Sequence, residues 1–343
     1  MKICKLCNTN QADKKGSHIV PHFLLKRIEN IEGKNSRDYE LGFVIQEFET
    51  KSYFGRSVPT EKLEEIYGEL TDNDIEKNKH PLIVDNFFCS YCEDRFAKIE
   101  DEYAKTLGKF DNKPYYSGIP SGISLLFWAS VLWRVSINKK SGMELTEKQN
   151  ETLRSILDRV LSKKLSDIDF ENLLNSKDIN HLSYRLLRCP NYSINHATHM
   201  VCNPKLRHPY SLLVDEFLLF FAFNNNYKEY QNNDFFGIKE VVFEAPINSV
   251  NIEEEQVYPI NEQLLENFTA KLVYHMKSIR IKKLNEFWDV LHVSLGGKGK
   301  GMPENIKREL LTELTSEEKK LGRSHNIEDL RNTTFKVLQK YER

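Results

Sequence analysis

The sequence predicts an α+β protein. A cysteine-bounded module occupies residues 1–107, with an insert at about 30–85, and a mainly helical domain follows over 108–343, with strands at about 180–260. Three observations predict it. Cys4/Cys7 and Cys89/Cys92 form two Cys-x2-Cys pairs that bound the first module. Apolar residues recur at helical spacing through 122–137 and 146–161, and again after 261. Between them, 180–260 is rich in aromatic and β-branched residues punctuated by Pro and Asn, the pattern of short strands.

Taken in order, "ICKLCN" has the look of a knuckle on a hairpin. After the second pair, Cys92, Phe96, Ile99, Tyr103 and Leu107 recur at steps of three and four, so a helix starts at that pair with Cys92 on its inner face. "GKFDNKPYYSGIPS" at 108–121 reads as a linker. Leu125, Leu126, Ala129, Leu132 and Trp133 mark the next helix, where Arg134 is expected to pack in the core against a buried carboxylate. Thr146 and Gln149 make a capping box ahead of the stripe Leu153, Ile156, Leu157, Val160 and Leu161. "GGKGKG" at 296–301 is a flexible joint without the frame of a phosphate-binding loop.

Composition excludes some classes of function and leaves others open. With 343 residues, 40% apolar and 29% charged, the chain has room for two domains and a sizeable core. Lys+Arg 49 against Asp+Glu 50 gives a net charge of −1, so no global charge points to nucleic acid or membrane. Locally the balance differs. The first 30 residues carry six Lys/Arg, including Lys14, Lys15, Lys26 and Arg27, against Asp13 and Glu29. Residues 271–301 carry seven, including Lys277, Arg280, Lys282 and Lys283, against Glu286 and Asp289. Both runs suit a phosphate backbone, and both equally suit a solvated helix face. Without an apolar leader or a run long enough to span a membrane, the chain is expected to be cytoplasmic, with its six cysteines as thiols or metal ligands.

In a reducing compartment, four thiolates in two such pairs call for one tetrahedral zinc ion. A hairpin knuckle joined to a pair at a helix start is the treble-clef arrangement. The bland alternative is four unrelated buried thiols.

Cys-x2-Cys, then "SHIVPHF" at 17–23, then "CSYCE" at 89–93 on a helix resembles the HNH (ββα-metal) endonuclease family. Among its zinc-bearing members it is similar to the phage junction-resolving endonucleases. It is closer to a group of bacterial proteins with "SHIIPxF…CxxCE…E" and a later "WR", echoed by "WRVS" at 133–136. The motif match covers 4–26 and 87–103. The resemblance implies a treble-clef/HNH-like module that cleaves DNA phosphodiester bonds, with a role in bacterial anti-phage defence and a defence partner such as an ATPase.

It also implies roles for single residues. His18 falls at the general base, which takes a proton from the attacking water. Glu93 falls at the helix ligand of a catalytic Mg²⁺ or Mn²⁺. Ser17 stands where the family has an acidic or histidine ligand, and His22 and Glu100 are the candidate replacements; Glu100 lies two turns along the helix from Glu93. Arg56 in the insert is a candidate phosphate clamp.

Each of these residues also has a plainer reading: His18 as a structural histidine, Glu93 and Glu100 as surface carboxylates or partners of Arg95 and Lys98. Cys189, His196, His199 and Cys202 have metal-ligand types but read better as core cysteines with loop histidines. The competing function is a non-catalytic, zinc-stabilised module that binds nucleic acid or a partner protein.

Overall fold

The computed structural model describes residues 2–25, 42–45, 50–53, 61, 64, 71, 82–138, 141–168, 176–196, 198, 200–224, 233–321 and 327–341. Lys26, Arg27, Arg56 and His199 lie outside the described residues. The protein mixes helix and strand. It divides into two compact units, the first made of residues 1–36 and 81–269, the second of 37–80 and 270–343. Residues 1–36 and 81–107 thus share one unit with 108–269, and the chain from 270 falls in the other with 37–80.

The first unit begins with a knuckle closed by a bridge between Ile3 and Gln11. The short strands β1 (Ser17–His18) and β4 (Ile83–Val84) then pair antiparallel, Ser17 opposite Val84 and His18 opposite Ile83. Between them in sequence come α1 (His22–Leu25) and, in the residue range of the second unit, the hairpin strands β2 (Gly42–Ile45) and β3 (Thr50–Tyr53). Helix α2 (Ser90–Ala104) follows with Cys89 at its N-cap. As its periodicity predicts, it buries Cys92, Phe96, Ile99 and Tyr103.

Residues 108–121, read above as a linker, contain strand β5 (Tyr115–Pro120), which pairs antiparallel with residues 254–257. Its partner lies far along the chain, so the local Gly and Pro content signalled only the turns around it. Helix α3 (Ser121–Ile137) starts at once and is buried from Ser121 to Ser136, as an all-round apolar helix must be. Helix α4 (Glu147–Leu161) has the predicted capping box and buries its predicted stripe.

Next come β6 (Ser183–Arg188), α5 (Tyr192–Asn195), β7 (Met200–Arg207), β8 (Tyr210–Val214), β9 (Phe217–Ala222), α6 (Lys239–Glu244), β10 (Asn248–Ser249) and β11 (Glu254–Pro259). Seven strands form one sheet in the order β5-β11-β6-β9-β8-β7, with β10 on the flank of β6. Only the β11–β6 pairing is parallel. One continuous core joins Cys4 and Leu6 of the knuckle to α2, α3, α4 and the sheet.

Helix α7 (Glu262–Ser294) starts in the first unit and continues into the second. There Leu284 and Trp288 share a core with α8 (Glu304–Leu321) and α9 (Ile327–Leu338), through Leu310, Leu314, Leu330 and Val337. Lys307 Nζ closes this unit's turn with an ion pair to Asp289 Oδ1 at 2.8 Å. The loop at 296–301 carries Gly296 and Gly299 at φ +82° and +102°, backbone that favours glycine. No helix among the described residues is long and apolar enough to cross a membrane.

A carboxylate is sealed in the first unit's core. Glu255 Oε1 accepts from Tyr184 at 2.7 Å, Trp128 Nε1 at 3.3 Å and Tyr103 at 3.4 Å, and Ser117 adds a further donor to the carboxyl. Burial outweighs these donors and pushes the Glu255 carboxyl up from 4.5 to about 7. The folded state therefore holds this proton more tightly than the unfolded chain does. Stability should fall as pH rises from about 4.5 through about 7, by on the order of 3 kcal/mol, and then level off. Glu255→Gln is expected to remove most of that slope. Urea unfolding at pH 5.5 and pH 8, wild type beside variant, measures it.

Candidate metal centre and adjoining histidine site

The two Cys-x2-Cys pairs meet. The ligand sulfurs of Cys4, Cys7, Cys89 and Cys92 all lie within 4.8 Å of one another, the only group of this kind among the described residues. Tetrahedral Zn–S bonds of about 2.3 Å would hold the sulfurs about 3.8 Å apart, so a small contraction would close this group on one ion.

Backbone bonds bring the pairs together. Lys5 N–H donates to Phe87 C=O at 2.8 Å and Lys14 N–H to Phe88 C=O at 3.1 Å, which ties the knuckle to the segment just before α2. Asp13 Oδ1 accepts from Ser90 N–H at 2.9 Å and so satisfies a free amide at the start of α2. Nothing in the local sequence signals that cap, because donor and acceptor come from opposite ends of the module.

The surroundings favour thiolate. Asn10 Nδ2 donates to Cys89 Sγ and Arg95 Nη1 to Cys92 Sγ, each at 3.6 Å. Arg95 lies one turn after Cys92, a spacing that could have revealed it. A hydrogen bond from Cys92 holds the Cys4 thiol down at about 4, and the same contact pushes Cys92 up. Burial raises Cys7, but hydrogen bonds from Thr9 and Asn10 outweigh it and leave the thiol lowered. Two arginines fasten the centre to the rest of the unit. Arg95 Nη1 pairs with Asp158 Oδ1 of α4 at 2.9 Å, and Arg154 Nη1 donates to Leu6 C=O at 2.9 Å.

Beside this centre, β1 presents His18 half-buried, its ring centroid 5.0 Å from that of His22 at the start of α1. Glu93, in the first turn of α2, lies close to Ser17. Ser17 Oγ and Glu93 Oε1 are buried, with no hydrogen-bond partner among the described residues beyond each other. Burial raises the Glu93 carboxyl above its ordinary value and Glu100 adds to this; Ser17, Arg134 and Lys14 oppose it. Of the residues singled out in the sequence, His18 thus meets His22, and Glu93 meets Ser17.

Other candidates stand elsewhere or are already engaged. Glu100, read as a replacement ligand, instead pairs with Arg134, Oε1 to Nη1 at 2.7 Å. Arg134 finds its buried carboxylate as expected, and it also donates to His18 C=O at 3.1 Å, which no local pattern announced. Lys14 and Lys15 are exposed near the site. In the second unit Lys277, Arg280 and Lys283 recur at steps of three on α7 and so fall within about 120° of arc, while Lys282 stands off that face. Lys283 also pairs with Glu286 at 3.3 Å. Cys189 and Cys202 are buried core thiols, both pushed up to about 12 by burial, and His196 pairs with Glu262 at 3.2 Å.

No protein-family model matches the chain, and no curated protein or solved structure matches it. The chemistry is read from its own side chains.

The four-cysteine group sets a measurable expectation. Purified wild type should carry one metal ion per chain by elemental analysis. Cys92→Ser should lower that content and destabilise the first unit by several kcal/mol, because metal binding free energy is folding free energy here.

Proposed function

We propose that the chain is a metal-dependent endonuclease acting on DNA, built on a treble-clef module whose Cys4, Cys7, Cys89 and Cys92 hold a structural zinc ion. The knuckle, the β1–β4 pair and α2 supply the elements of that module. One observation carries the reading: Glu93 on α2 is brought beside Ser17 on β1, the residue before His18, in a buried setting. A buried carboxylate oxygen faced by a single neutral hydroxyl keeps acceptor capacity for one more polar group.

A hydrated Mg²⁺ or Mn²⁺ fits that donor set, since Mg²⁺ is commonly bound through one or two carboxylates and keeps its remaining positions for water and phosphate oxygens. When bound, it would neutralise charge on the scissile phosphate and the leaving oxygen. His18, half-buried, takes the proton from the attacking water, a task suited to an imidazole. Glu93 holds the cation side of the site and Ser17 contributes a neutral oxygen. Lys14 and Lys15, both exposed, offer positive charge to the DNA backbone. A role in defence against phage DNA follows from the family resemblance alone.

A second reading draws on one specific observation. Glu100 is committed to Arg134 and Ser17 is uncharged, which leaves Glu93 as the site's one unpaired carboxylate among the described residues. In that reading the module binds nucleic acid or a partner protein, weakens steeply with salt, and cuts nothing under any metal.

Plasmid nicking with Mg²⁺, Mn²⁺ or Ni²⁺ separates the two. Wild type should nick, His18→Ala should lose about a hundredfold or more of the rate, and metal content should be the same in both. Glu93→Gln should shift the Mg²⁺ dependence to higher concentration. Intact protein with full metal content and salt-sensitive DNA binding but no nicking would refute the nuclease.

A further inference from the structure

Arg134 lies on α3, outside the motif that frames the site, and is 2% exposed. Every described contact of its guanidinium is accounted for. Nη1 donates to His18 C=O at 3.1 Å and pairs with Glu100 Oε1 at 2.7 Å. Nε donates to Ser130 C=O at 3.3 Å and Nη2 to Ser130 Oγ at 3.4 Å. The plane lies over the Phe96 ring, with Cζ 4.8 Å from the centroid.

These bonds join three elements at one point. Glu100 is on α2, the helix that carries Glu93, and His18 is on β1. The β1–β4 pairing is only two residues long, and two ladder positions do little to fix a strand against a helix. Arg134 supplies the missing constraint, because Nη1 reaches the β1 backbone at His18 and α2 at Glu100 together while Nε and Nη2 fix the planar group on Ser130 of α3. Its charge also neutralises Glu100, so the second carboxylate on that face of α2 neither competes for a cation nor repels a phosphate.

We propose that Arg134 is a positioning residue: it holds His18 at a fixed distance from Glu93, and it acts through that backbone contact without touching substrate. This rests on the nuclease reading for its catalytic consequence and on the geometry alone for its structural one. A merely structural arginine would matter only through the fraction of folded protein. A positioning arginine matters in folded protein too, since a misplacement of about 1 Å can cost about a hundredfold in rate.

Arg134→Lys is the informative variant. Lysine keeps the charge for Glu100 but lacks the Nε and Nη2 donors that bind Ser130, so its head group is not held between His18 C=O and Glu100 in the same geometry. The double variant Arg134→Met with Glu100→Gln removes the pair without leaving a buried charge, and serves if the lysine variant folds poorly. Three readouts are taken on protein with full metal content: plasmid nicking in Mn²⁺, thermal unfolding, and the NMR resonances of the His18 ring with those of His181 as control.

The expected result for Arg134→Lys is an unchanged unfolding temperature within a few degrees, a nicking kcat lowered about tenfold to a hundredfold at unchanged KM, and displaced His18 ring resonances with His181 unmoved. Unmoved His18 resonances would overturn the proposal, whatever the nicking rate. A rate that falls only in proportion to folded protein would overturn it as well. If wild type does not nick, displaced His18 resonances still support the positioning, and the nuclease reading alone is lost.

Discussion

Four sulfurs held within 4.8 Å of one another are the constraint on which the N-terminal part of the molecule depends. Two of them lie on the knuckle and two at the start of α2, so their meeting fixes how the knuckle approaches that helix. Four thiolates at this spacing repel one another strongly unless a cation or proton compensates them. Asn10 and Arg95 donate to two of the sulfurs, but neutral and single-charge donors cannot balance the set. A bound metal ion would complete the electrostatics and make the fold of this module conditional on it. The placement of β1, and so of His18, follows from the same closure.

The centre does not stand apart from the rest of its unit. Arg95 reaches Asp158, Arg154 reaches the knuckle backbone at Leu6, and Arg134 reaches β1 at His18. Two of these arginines come from α3 and α4, while the third leaves α2 for α4. The hydrophobic core runs through the same boundary without a break. Sequence composition suggests a small metal module followed by a separate body, yet burial and ion pairing make one unit of them. The site inherits its rigidity from α3, a helix enclosed on every side.

The buried charges of this unit form a pattern. Arg134 with Glu100, Arg188 with Glu216 at 2.6 Å, and Arg95 with Asp158 each place a guanidinium where the backbone of another element needs a donor. Arg188, for example, also donates to Leu107 C=O and Lys109 C=O at 2.6 and 2.8 Å, and so anchors the chain between α2 and β5. Such pairs contribute little net stability after desolvation, but they penalise any other arrangement of the elements they join. Glu255 differs from them: its carboxylate accepts from neutral donors, and burial pushes it up to about 7.

Much of the local structure was legible in the sequence by itself. The step of three and four from Cys92 placed α2 and its inner face, Thr146 and Gln149 placed the start of α4, and two Cys-x2-Cys pairs announced a shared centre. These features depend on residues close in sequence or on a ligand geometry that admits few solutions. Tertiary structure alone decided the rest. Strand β5 hides in a Gly- and Pro-rich stretch because its partner is β11, more than a hundred residues away. Asp13 caps a helix whose start is 77 residues away, and Arg134 takes Glu100 from the candidate ligands while gripping His18. Long-range pairing leaves no trace in local periodicity, and the direction of a buried side chain is set by what the whole core brings within its reach.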